Sequence, residues 1–186
     1  MDTLNAIHMR RAVRAYSDRR LDQPKIQRLI EAAVDAPSAM DRQPWSFMVV
    51  RDRERLAWIA REARRHLLET IPDDSPLAPL KAFVADPGMD ILYGAPALVV
   101  ICATLDDPGA AEDCALAAEN LMLAARAMEL GTCWIGLARS WLNQPECKKA
   151  LGIEPQYAPV APIIVGYPAA WPDAPPRREP EIHWIG

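Results

Sequence analysis

The chain has 186 residues, a one-domain length, and its 51% hydrophobic and 25% charged content is that of a globular protein with a buried core, which excludes disorder and fibrous repeats. A net charge of −4 speaks against a dedicated nucleic-acid binder. The charge is unevenly spread, however: residues 1–65 carry 14 Lys and Arg against 9 Asp and Glu, and 17 of the 21 basic residues are arginine, whose planar fork suits a small anionic ligand.

In chain order, Asp2 can cap a short helix with Leu4, Ile7 and His8 on one side. A second helix follows Asp22-Gln23-Pro24, with Ile26, Leu29, Ile30, Ala33 and Val34 at three- and four-residue spacing, and stops before Pro37. Ser38–Trp45 has loop composition and Ser46–Val50 is a strand. A third helix from about Arg53 to Leu68 turns Leu56, Ile59, Ala60, Ala63 and Leu67 inward. Residues 70–94 then break the pattern with Pro72, Pro76, Pro79, Pro87 and Gly88, leaving a short helical piece around 77–83. A segment this long with little regular structure is either a lid-like functional excursion or a plain surface one.

Ala97–Cys102 reads as a strand buried on both faces. Asp107-Pro108 opens the longest helix, which runs to Leu130 with Gly131 as its left-handed stop; Leu116, Glu119, Asn120, Leu123, Ala127 and Leu130 share a stripe. Thr132–Gly136 and Val160–Val165 are further strands, with a short helix around Pro145–Leu151 between them, stopped at Gly152. Residues 167–186 hold five prolines together with Trp171, Ile182, Trp184 and Ile185. Proline at that density makes an extended arm, and its apolar side chains predict docking on the body or on a second subunit. The fold class is therefore α+β: one domain over residues 1–186, a central mixed sheet of four to five strands flanked by helices, and no βαβ dinucleotide unit.

Cys102, Cys114, Cys133 and Cys147 show no CxxC spacing, so reduced, buried thiols are expected and no metal site. The first residues lack an apolar leader core, and the longest apolar run, Ala95–Ala103, is far short of the roughly 20 residues of a membrane helix. A cytoplasmic protein with no membrane partner is expected. His8, His66 and His183 have no motif partners, and GxSxG, HExxH, GxxxxGK[ST] and GxGxxG are all absent.

Four segments can carry chemistry. Arg10-Arg11-Ala12-Val13-Arg14 places three guanidinium groups where they can converge on one phosphate, or form a solvated basic face. Pro37-Ser38-Ala39-Met40-Asp41-Arg42-Gln43-Pro44 is a stiff loop that can present polar groups to a planar ring, or a structural connection. Gly131-Thr132-Cys133-Trp134-Ile135-Gly136 ends in a glycine that permits close backbone approach. Arg177-Arg178 adds two arginines on the arm.

Together with Tyr16, Tyr93-Gly94-Ala95-Pro96, the helix segment 117–125 and Gly166-Tyr167-Pro168, these segments resemble the nitroreductase family of flavin-dependent oxidoreductases, in the family's order and over nearly the whole chain. The resemblance implies an intertwined homodimer with FMN at the subunit interface and NADH or NADPH as electron donor. It also implies a small-molecule acceptor, nitroaromatic or quinone-like, reduced by a ping-pong mechanism. By motif, Arg10, Arg11, Ala12 and Arg14 flank the FMN phosphate and polar edge. Pro37, Ser38, Ala39, Met40, Asp41 and Gln43 reach the flavin from the opposite subunit. Cys133 and Trp134 lead to Ile135 and Gly136, which place a backbone N–H near flavin N5, and Arg177 or Arg178 adds a phosphate contact. No catalytic side chain is implied. The chain departs from the family pattern at Ala12, usually serine, and at Asp41, usually asparagine. Asp41 either accepts from the flavin and lowers its potential or turns away to pair with an arginine such as Arg42. Reductive dehalogenation, flavin fragmentation and a non-catalytic flavin-binding module are the alternatives.

Overall fold

Seven apolar residues in succession, Ala97–Ala103, are all buried, as a strand covered on both faces requires. In the computed structural model, which describes residues 1–186, this strand, β2, pairs with β1 (Trp45–Val50) on one side and β4 (Ala158–Gly166) on the other. β3 (Gly131–Trp134) completes the order β1-β2-β4-β3. The expected mixed sheet is corrected here: all three strand pairings are antiparallel, and the parallel element is a single bridge between Ala12 and Thr132. Pro159 lies in the interior strand β4 where the β2–β4 register shifts at Ile101/Cys102, a place where a missing N–H is tolerated.

Side chains alternate across β2, so the sheet has two cores. Leu98, Val100 and Cys102 face α3 (Arg53–Thr70), α4 (Ala78–Ala85), α6 (Gly136–Leu142) and α7 (Pro145–Leu151). Ala97, Val99, Ile101 and Ala103 face α2 (Gln23–Val34) and α5 (Pro108–Ala127). The second core is built of small residues: α5 packs Ala110, Ala117, Ala118 and Ala125 inward, which brings it close to the sheet. The stripe expected on α5 is shifted accordingly, with Leu116 exposed and Leu121 and Met122 buried in its place.

Three further expectations change. Helix α5 ends at Ala127, and Glu129, at φ 59°, takes the left-handed position assigned to Gly131. Gly131 sits inside β3, where a Cβ would lie 2.8 Å from the Val13 side chain. Gly136 does not end a strand but begins α6, a helix that the sequence pattern did not announce. On α1 (Thr3–Met9), capped by Asp2, the buried residue is Ala6, whereas Leu4 and Ile7 are exposed.

The second half of the 70–94 segment is pinned to the body. Val84, Ile91 and Leu92 are buried, and the Arg64 guanidinium on α3 donates to the carbonyls of Val84, Ala85 and Asp86. After Gly166 the chain forms no further helix or strand, and Trp184 and Ile185 are 90% and 99% exposed. No helix is long and apolar enough to cross a membrane.

Candidate functional site

Residues 10–17 leave α1 and run along the sheet edge because their main chain pairs there. The Val13 N–H donates to the Thr132 carbonyl at 2.9 Å, and the Ser17 N–H to the Tyr167 carbonyl at 2.9 Å. The Tyr16 hydroxyl closes the turn by donating to the Val13 carbonyl at 2.8 Å. Gly131 makes the approach possible, since any larger residue would strike Val13. The arginine segment and the 131–136 segment are thus brought side by side.

In the single chain two of the three guanidinium groups are engaged by the protein itself. Arg10 Nε lies 3.3 Å from Glu119 Oε1 on α5, and Arg11 Nη1 donates to the carbonyls of His8 and Arg10, both at 2.7 Å. Arg14 pairs with no carboxylate and lies 5.8 Å from the Tyr93 ring centre. Burial pushes the Cys133 thiol up, and the nearby Arg14 and Arg10 charges offset this in part. Burial likewise pushes the Tyr16 hydroxyl up.

Cys133 is buried and Trp134 half-buried at the end of β3. Of the two residues expected to offer a backbone N–H, Ile135 is corrected: its N–H is committed to the Pro162 carbonyl at 2.7 Å. Gly136 fits the role. It is exposed, occupies the first helical position, where an N–H has no acceptor inside the helix, and a Cβ built on it would meet nothing within 4 Å.

The 38–44 loop is held quite differently. Met40, Asp41 and Gln43 have φ of 55°, 54° and 48°, left-handed values that cost non-glycine residues about 1–2 kcal/mol each. Inside the loop, the Asp41 and Gln43 N–H groups donate to Ser38 O and Oγ, and the Gln43 side-chain amide donates to Asp41 Oδ1 at 2.9 Å. Asp41 therefore does not pair with Arg42. Arg42 Nη1 reaches instead to Asp107 Oδ2 at 2.6 Å, and Asp107 Oδ1 caps α5 through the Gly109 N–H. These contacts hold the Asp107 carboxyl below the usual carboxylate range, Arg42 first and Gly109 second. Pro37, Ala39, Met40, Asp41 and Gln43 are exposed, and Ser38 is half-buried.

Two positions that sequence reasoning missed lie on α5. Asp113 is 5% exposed; its Oδ1 accepts from the Ala39 N–H at 3.1 Å, and its Oδ2 is buried without a partner. Arg126 is buried, donates to the Met9 carbonyl at 3.2 Å, and lies 3.9 Å from the Trp171 ring centre at the root of the arm. Their signal was a charge on an otherwise apolar face, since Asp113 falls three residues after Ala110 and four before Ala117.

One chain therefore presents its candidate residues in three groups. The arginine turn and the 131–136 hinge are joined. The loop sits by the N-terminal half of α5, with no hydrogen bond or ion pair to either. Arg177 and Arg178 lie on the exposed arm, with none to the body.

A family model described as the nitroreductase family matches residues 7–167. A protein of Methanothermobacter thermautotrophicus, provisionally named an NADH dehydrogenase/NAD(P)H nitroreductase, is 33% identical over 98% of this chain and 86% of its own length. Among solved structures, a nitroreductase with bound FMN from Bacteroides fragilis superposes with a TM-score of 0.86 at 24% identity, over all of both chains. Another with bound FMN, from Desulfitobacterium hafniense, gives 0.83 at 25% identity, again over both whole chains. A match across most of the chain, an archaeal relative of nearly equal extent and the same fold end to end lead to one conclusion: the chain belongs to the nitroreductase family.

Proposed function

We propose that this protein is an FMN-dependent oxidoreductase that takes hydride from NADH or NADPH and reduces a small organic acceptor, nitroaromatic or quinone-like, by alternating half-reactions. The observation that carries the reading is Gly136, an exposed glycine at the start of α6 with open space where a Cβ would be, four residues on from the Thr132 carbonyl that accepts the Val13 N–H of the arginine turn. These residues fit a flavin mononucleotide: a cradle without a side chain, a free main-chain donor and the unpaired Arg14 guanidinium.

When bound, FMN supplies the two-electron chemistry at its ring, and the protein orients and tunes it. Gly136 holds a donor at the reacting edge. Arg14 offers charge to the phosphate, with Arg10 and Arg11 joining after exchanging Glu119 and the helix carbonyls for it. Ala12, Cys133 and Trp134 supply the backbone that spaces these groups. Residues 37–43 and Arg177 or Arg178 complete the site from a second copy in a homodimer. Supporting that assembly, a single chain leaves Leu4, Ile7, Ile182, Trp184 and Ile185 exposed.

The test is direct. The purified protein is expected to be yellow, to bleach with NADH or NADPH without oxygen, and to recolour with a nitroaromatic or quinone. Steady-state lines should be parallel, and the sedimenting mass should be that of two chains. A colourless protein that ignores added FMN removes the reading.

A further inference from the structure

We propose that Asp113 is a positioning residue that sets the conformation of the 38–44 loop, and through it the grip on the flavin; the second half of this rests on the function proposed above. A carboxylate in an alanine-lined helix face is costly to bury, and small neighbours such as Ala110 and Ala117 show what packing alone would place there. Asp113 instead accepts one main-chain N–H, that of Ala39. This is where the chain passes from extended backbone at Ser38 (φ −138°, ψ 153°) into the left-handed pair Met40 and Asp41.

The N–H groups of Asp41, Arg42 and Gln43 all bond within the loop, to Ser38 O, Ala39 O and Ser38 Oγ, whereas that of Ala39 bonds to the body. Two other ties hold the loop: at its end the Pro44 carbonyl accepts from the Thr104 N–H at 3.0 Å, beyond the left-handed residues, and the Arg42–Asp107 pair is partly exposed at both ends and therefore screened. A strained conformation persists only where its surroundings over-determine it, and Asp113 is the buried side chain bonded to the main chain where the left-handed stretch begins. Only one of its oxygens is used, because Oδ2 has no partner. The role therefore needs an acceptor at Oδ1 and not a charge, and asparagine can fill it.

Two measurements on the full-length protein decide this. The first is trypsin cleavage after Arg42 in the flavin-free protein, mapped by mass. Asp113→Ala should speed this one cut by roughly tenfold, the loss expected for one buried hydrogen bond, and Asp113→Asn should restore it. The second is the FMN dissociation constant by flavin fluorescence, which should rise about tenfold in Asp113→Ala and return toward wild type in Asp113→Asn. Wild-type cleavage in Asp113→Ala overturns the proposal, as does cleavage spread over many sites, which marks global unfolding. Asn behaving like Ala overturns the single-acceptor account. Faster cutting with unchanged FMN affinity overturns the link to the flavin while leaving the anchor. A wild-type protein that binds no FMN refutes the proposed function, and the cleavage result still judges the anchor.

Discussion

The arginine turn and the 38–44 loop lie against the same helix, α5, yet they are fixed by opposite means. The turn is held by main-chain bonds to β3 and Tyr167, which depend on no side-chain partner, and by a glycine that lets the two backbones meet. Apart from the Thr104 N–H that donates to the Pro44 carbonyl at its end, the loop is held by a few side chains, Asp113, Asp107, Arg42 and Ser38, against three left-handed residues that oppose it. The turn should therefore yield only to a steric wedge, whereas the loop should respond to single polar changes and even gain from relief of strain.

The largest effect belongs to the wedge. Gly131→Ala places a Cβ 2.8 Å from three Val13 side-chain atoms, so the turn must move off β3. Overpacking of this kind costs about 1–3 kcal/mol, a fall in Tm of ~2–12 °C at this chain length. Val13→Ala should cost less in the Gly131→Ala background than in the wild type, and calorimetry of the four proteins measures that coupling. Simple additivity would show that the turn is not seated on Gly131.

Strain relief in the loop should have the opposite sign. Met40 is 93% exposed at φ 55°, so Met40→Gly sacrifices no packing. Relief of ~1–2 kcal/mol, less ~0.4–1 kcal/mol of added chain entropy in the unfolded state, leaves a gain of about 0.5 kcal/mol. The urea midpoint should rise; a fall would mean that the left-handed conformation costs nothing here.

The loop's exposed tie should depend on pH. Asp107 is held below its ordinary value, so its contribution is present above the unfolded carboxylate value, about pH 4, and is lost as pH falls through the lower folded value. Arg42→Leu removes the main cause. Its Tm deficit should be full at about pH 7 and shrink as the pH is taken below about 4. An equal deficit at both ends would assign the effect of Arg42 to packing.

The same contrast explains what the chain disclosed before folding. The buried strand Ala97–Ala103, the capped helix after Asp22 and the stop at Gly152 rest on local rules, apolar run, cap and left-handed glycine, and all appear in the structure. The main-chain pairing that sets residues 10–17 beside β3 was not legible, because it depends on Thr132 and Tyr167, which are far along the chain. The direction of the Arg10 guanidinium was not legible, because Glu119 becomes its partner only after α1 packs on α5. Nor was the committed N–H of Ile135, which depends on β4 arriving alongside with Pro162 opposite. Helix α6 is seven residues long and starts at a glycine, too short for periodicity to separate it from the strand before it. Asp113 stood out only as a charge on an otherwise apolar face; its partner, the Ala39 N–H, appears once the loop folds over α5.

The smallest expected effect bears on chemistry rather than stability. Asp41 is exposed and its Oδ1 is engaged by the Gln43 amide, so the carboxylate is fixed by its own loop and is not neutralised by Arg42. A carboxylate can only accept, whereas the amide that the family usually carries both donates and accepts. If this loop faces the flavin, as proposed, the fixed negative charge opposes the charge that reduction places on the ring, and Asp41→Asn should raise the midpoint potential. Exposed charges interact by ~0.2–1 kcal/mol, which for a two-electron couple is ~4–20 mV. Dye-equilibrated titration of wild type and variant, both with FMN bound, resolves a shift of that size. An unchanged potential would place Asp41 outside the field of the ring, and would mean that the loop acts on the site through its shape alone.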